Sequence, residues 1–163
     1  MSTDRIEKKV LLQSTRERVW NAVSDAAQFG RWFGVAFDGP FVERTRVTGR
    51  IVPTTVDAEV AAQQKAFEGI PFEFWIERIE PMRRISFRWH PFAIEPGVDY
   101  SSEPTTLIEF ELADAGGGIL LTITESGFDA IPLARRARAF AANDGGWTAQ
   151  TRLIAKYLAL APA

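Results

Sequence analysis

The stretch NDGGWTAQTRL, Asn143 to Leu153, decides how the chain is read. It lies within one long C-terminal helix, which the pattern predicts from about Pro132 to Leu158. Proline suits the opening turn of a helix, where its missing N–H loses nothing. Alternate steps of four and three give a stripe of Leu133, Ala137, Phe140, Asp144, Trp147, Thr151, Ile154 and Leu158, apolar except for Asp144 and Thr151. Adjacent glycines in a helix interior cost roughly 1 kcal/mol each relative to alanine, so Gly145 and Gly146 need a reason. One reading has them removing side chains beside an inward Asp144, where the helix approaches a strand or leaves room for something else. In the other they mark a kink, with Asn143 and Asp144 capping a second half-helix.

Everything upstream gives this helix something to cover. RIEKKVLL (Arg5–Leu12) alternates, with Ile6, Val10 and Leu12 on one face, and reads as a strand. In STRERVWNAVSD, Ser14 as N-cap with Glu17 three residues on predicts a capping box and a short helix. Asp25 is placed to cap a second, DAAQFGRWFG, ending near Gly34. Val42–Ile51 reads as a weaker strand, and Thr54–Gly69 fits either a helix or a strand–turn–strand excursion. Four clearer strands follow: Phe72–Glu80, Ile85–His90, TTLIEFELA (residues 105–113) and Ile119–Ser126. A polar, proline-containing loop, residues 91–104, joins the middle two. A run of hairpin-connected strands must bury one face, and the closing helix is the long cover available. The expected fold class is α+β, a curved antiparallel sheet wrapped round one helix, in a single domain spanning residues 1–163.

Composition excludes several functions. Hydrophobic residues make up 46% and charged residues 25% of the 163, as in ordinary globular proteins. A net charge of −2 with scattered arginines offers no field for nucleic acid. No cysteine is present, so disulfides, thiol catalysis and thiolate metal sites are excluded. His90 is the one histidine, expected at a strand end on the surface, and no GxSxG elbow presents a serine. Neither a metal nor another cofactor is expected. The opening MSTDRIEKKV lacks an apolar stretch and no segment reaches membrane-span length, so a cytoplasmic location is the expectation.

Two further polar residues fall on the inward face by strand parity. Ile119, Leu121 and Ile123 continue to Glu125, and Phe72, Phe74 and Ile76 continue to Arg78. A buried carboxylate without a partner destabilises a fold, so Arg78 is the expected partner of Glu125 or Asp144. Five tryptophans and twelve phenylalanines supply either a solid aromatic core or the walls of an apolar pocket.

Four passages carry a family likeness: STRERVWNAVSD with RWF shortly after, IEPMRRISFRW, TITESGF, and GGWTAQTRLIAKYL. In this order they resemble the START-like (SRPBCC, helix-grip) superfamily. Within it they are similar to bacterial domains related to the C-terminal domain of the activator of Hsp90 ATPase. The likeness covers Arg5 to Leu158. It implies a cavity whose mouth lies near Trp32, Phe33 and Phe37. Phe72, Phe74, Phe87, Trp89, Phe110, Phe140 and Trp147 are candidates for its walls. The leading expectation is therefore binding of a small apolar or aromatic molecule, oriented by Asp144, Glu125 and Arg78. A cyclase- or hydrolase-type enzyme using the same carboxylates is one alternative. A co-chaperone-like domain with Hsp90 as partner is the other. Either a monomer or a homodimer is compatible with the sequence.

Overall fold

A computed structural model describes residues 4–93 and 97–160. Of the loop expected at residues 91–104, positions 94–96 lie outside the described residues. Seven strands form one curved antiparallel sheet in the order β1-β7-β6-β5-β4-β3-β2. They are β1 (Arg5–Leu12), β2 (Val35–Phe37), β3 (Arg46–Ile51), β4 (Pro71–Glu80), β5 (Arg84–Trp89), β6 (Thr106–Ala115) and β7 (Gly118–Ser126). Helices α1 (Arg16–Ser24) and α2 (Ala26–Phe33) follow β1, α3 (Ala58–Gln64) with a 3-10 turn (Lys65–Phe67) follows β3, and α4 (Leu133–Leu160) ends the chain. The α+β helix-grip class is as expected.

Several local expectations are corrected. The N-cap of α1 is Thr15, whose hydroxyl accepts from the Arg18 amide at 3.2 Å. The capping box on Ser14 and Glu17 does not form, because the helix starts one residue later. Asp25 occupies the cap position of α2 but makes no side-chain cap bond. β3 starts at Arg46 rather than Val42, since Thr45 N–H turns back to the Val42 carbonyl and Arg44 takes φ 62°. Three-residue β2 is too short to show an alternation. β5 ends at Trp89, leaving His90 just outside, its Nε2 3.0 Å from the Glu103 carbonyl oxygen. The ambiguous Thr54–Gly69 resolves into α3, capped by the Asp57 carboxylate on the Val60 amide at 3.0 Å.

Most informative is α4. It is one uninterrupted helix, so the kink reading of Asn143–Gly146 does not hold. Its buried positions are Ala139, Trp147, Leu153, Ile154, Tyr157 and Leu158, while Leu133 is 77% exposed. The inward line therefore passes Ala139, Asn143 and Trp147 in steps of four. Asp144 sits one residue, about 100° of helical rotation, off it. A Cβ built on Gly145 or Gly146 meets nothing within 4 Å, so neither glycine serves a close approach.

The interior between the sheet and α2 and α4 is filled with rings. Phe29 is fully buried and its centroid lies 4.8–6.0 Å from those of seven other aromatics. Edge-to-face and offset arrangements of this kind add about 0.5–1.5 kcal/mol per pair beyond area burial.

Candidate functional site: a buried carboxylate among aromatic rings

Strand parity places Glu125 inward as expected, and it is 0% exposed. Its partner is not Arg78. Oε1 accepts from Trp147 Nε1 at 2.7 Å and Asn143 Nδ2 at 3.0 Å. Oε2 accepts from Thr106 Oγ1 at 2.5 Å, Trp89 Nε1 at 2.7 Å and the same Asn143 amide at 3.1 Å. Indole and amide N–H groups only donate, so both Glu125 oxygens act as acceptors. Four elements meet there: β5 through Trp89, β6 through Thr106, β7 through Glu125, and α4 through Asn143 and Trp147.

The positions follow from local structure. In the β6/β7 ladder Ile108 stands opposite Glu125, and Thr106 is two residues along on the same inward face. Trp89 ends the inward series Ile85, Phe87, Trp89 on β5. Asn143 and Trp147 are one helical turn apart on the inner line of α4. All four donors are neutral, and no lysine, arginine or histidine among the described residues joins them.

The remaining expected site residues divide sharply. Trp32, Phe33, Phe37, Phe74, Phe87, Phe110, Trp89 and Trp147 are brought into one continuous ring cluster with Phe29. Trp32 and Phe33 lie on α2, the expected second short helix, and Trp32 donates to the Ala22 carbonyl at 2.9 Å. Phe140 is not part of the cluster; its ring packs on Phe128 at 5.1 Å. Arg78 points outward, with 64% of its side chain exposed beside Glu80 at 3.6 Å. The cause is a bulge in β4: Ile76 pairs with Phe87 but Arg78 with Ser86, so Glu77 is an extra residue that reverses parity. Asp144 is held by Lys8 at 2.9 Å with 47% of its side chain exposed. A paired acid–base arrangement of Glu125 and Asp144 is therefore not assembled.

Sequence reasoning missed Asn143 and Thr106 as partners of Glu125. The signal was present: a carboxylate on an inward face requires donors, and Thr106, Trp89 and Trp147 all share that face by periodicity. Two glutamines were also missed. Gln150 and Gln64 donate to the carbonyl of Phe33 at 3.2 and 3.1 Å, and Gln64 Oε1 accepts from the Thr54 amide at 2.7 Å. They tie α4 and α3 to the C-terminal end of α2, while Gln150 Oε1 is buried without a hydrogen-bond partner.

Around Glu125 the rings touch. Trp89, Trp147, Phe33 and Phe72 lie with centroids 5.8–6.4 Å apart, which leaves no ligand-sized void among them. Phe37, Phe72 and Trp89 are half-buried and carry the cluster to the surface. A hollow of about 330 Å³ lies elsewhere, lined by Asp38, Gly39, Pro40, Val42 and Thr45–Thr48. Among the described residues no group of three or more His, Asp or Glu side chains is placed to hold a metal, and no helix is long and apolar enough to cross a membrane.

The fold and the motifs define an SRPBCC-type, helix-grip domain. Residues 13–159 match the family model described as Activator of Hsp90 ATPase homolog 1-like protein, and the chain belongs to that family. Among curated proteins no sequence matches. Solved structures are similar in fold. MLL2253 from Mesorhizobium loti aligns at TM-score 0.70 and 16% identity over 98% of this chain and 99% of its own. DynU16, of the dynemicin biosynthetic locus, aligns at 0.66 and 21% over 96% of this chain; the chain spans 47% of DynU16. A solution structure of the Aha1 dimer from Colwellia psychrerythraea aligns at 0.63 and 12% identity, over 94% and 95% of the two chains.

Proposed function

We propose that this domain binds a small apolar or aromatic molecule between the sheet and α4, against Phe33, Phe72, Trp89 and Trp147, with Glu125 as the polar anchor. The observation that carries the reading is the fully buried carboxylate among aromatic rings with neutral donors alone. A core built for stability alone gains little from such a group, since apolar replacements of buried charges are often neutral or stabilising. A few polar groups in an otherwise apolar, aromatic surround are the common composition of small-molecule sites. Binding requires the rings to part. α3 is the element whose displacement allows it, because it contributes no fully buried residue and is held by Val60 packed on the core, by Gln64 and by Asp57 with Lys156.

The test is native mass spectrometry of gently purified protein, followed by a thermal-shift and tryptophan-fluorescence screen of aromatic metabolites. The expected result is a stabiliser that changes indole emission and whose effect is lost in Phe72→Ala. A second reading, a protein-interaction domain, draws on the closely packed ring cluster, since an interaction surface needs no cavity. It predicts a direct complex with bacterial Hsp90, or a homodimer in the native mass spectrum, and no response to any small molecule. Function in the cytoplasm accords with either reading.

A further inference from the structure

We propose that the molecule bound at Glu125 is cationic: an aromatic or apolar compound carrying a protonated amine, which takes the place of Asn143 on the carboxylate. The proposal deepens the ligand-binding reading and rests on it. Three observations combine. First, the hydrogen-bond set of Glu125 contains no basic side chain, so no counter-charge stands in direct contact with the carboxyl group. The nearest basic group on the inner face of β1, Lys8, is engaged by Asp144 at 2.9 Å. Second, Trp89 and Trp147 meet that carboxylate through their N–H edges. Their rings, continued by those of Phe33 and Phe72, form an aromatic wall leading away from it, whose faces attract cations, most strongly those of tryptophan. A carboxylate and an aromatic wall together select an ammonium group over a neutral or anionic one. Third, the donors differ in how replaceable they are. Trp147 and Thr106 are buried, and both bond at 2.7 Å or less. Asn143 is partly buried and spans both oxygens at 3.0 and 3.1 Å, the two longest contacts of the set. An ammonium with three N–H groups can reproduce both of its bonds while supplying the missing charge.

The experiment titrates the full chain with three probes of matched shape: phenethylammonium, the neutral phenylethanol, and the anionic phenylpropionate. Binding is read from the indole N–H resonances of Trp89 and Trp147. Phenethylammonium is expected to bind at least about tenfold tighter than phenylethanol and to move both resonances, with phenylpropionate weakest. Glu125→Gln is expected to bring the ratio of cationic to neutral affinity to near one. Asn143→Ala, which removes the neutral donor and keeps the carboxylate, is expected to widen it. Equal or tighter binding of phenylethanol or phenylpropionate at those indoles overturns the cation preference and leaves the ligand-binding reading standing. Cation binding that moves neither indole also overturns it, as attachment to a negatively charged surface. Three probes that bind nowhere overturn both.

Discussion

Trp147 on α4 donates its indole N–H to Glu125 on β7 at 2.7 Å, with both residues buried. The bond crosses from helix to sheet, and the same carboxylate ties in Trp89 and Thr106. Removing one donor leaves a buried acceptor short of a partner, which costs more than a typical surface bond contributes. Trp147→Phe is expected to lower stability by roughly 1–3 kcal/mol from this loss alone. Chemical denaturation at neutral pH measures it; a change below half of that range would mean Asn143 and water compensate.

The glycine pair gives an opposite expectation. Gly145 and Gly146 are exposed, lie in an unbroken helix, and have open space where a Cβ would go. Gly145→Ala and Gly146→Ala are each expected to stabilise the chain by roughly 1 kcal/mol. Thermal melts of the single and double variants check this and its additivity.

Gly34 behaves differently. It ends α2 at φ 102°, and a Cβ there would sit 2.6 Å from Gln64 Nε2. Gly34→Ala is expected to destabilise by roughly 1–2 kcal/mol from backbone strain, and to push Gln64 off the Phe33 carbonyl. Faster amide exchange in α3 than elsewhere would report the second effect.

Acid should release α3 too. The Asp57 carboxyl is held below its usual value of 3.8, chiefly by the hydrogen bond from Lys156 and then by the Val60 amide. A depressed carboxyl stabilises the folded form fully above its unfolded value and loses that contribution as pH falls through the folded one. Protection of the α3 amides is therefore expected to drop below about pH 3.8 in the native chain. In Asp57→Asn that acid-dependent step should be absent, with protection already reduced at neutral pH.

Arg78→Ala and Asp144→Asn should matter little. Arg78 is largely exposed and Asp144 is about half exposed, so each change is expected within about 1 kcal/mol of the parent. A larger loss in denaturation would show that these charges act through something beyond their surface pairs.

Those two residues also show where the sequence stopped being legible. The succession of most elements, the antiparallel sheet and the long covering helix followed from hydrophobic periodicity, and so did the inward face of Glu125, because β7 is regular throughout. Arg78 was misplaced since one extra residue in β4, Glu77, reverses every side chain after it. No composition signal marks such a bulge. The phase of α4 slipped by one residue for a related reason. Steps of three and four are both allowed on a helix, and the choice between Asn143 and Asp144 is made by Glu125, eighteen positions away. The closeness of the ring packing depends on rotamers, which periodicity does not carry.

One feature of the sheet governs how this chain reaches its native state. β1 pairs only with β7, residue Arg5 opposite Ser126, although five other strands lie between them in sequence. β1 is therefore synthesised long before its partner strand exists. α1 and α2 can form locally meanwhile, but the carboxylate that joins β5, β6 and α4 arrives with that same late strand. Pairings of such long sequence separation slow folding. Emergence of TITESGF, residues 122–128, followed by α4, is thus the event that converts a partly ordered nascent chain into a closed one.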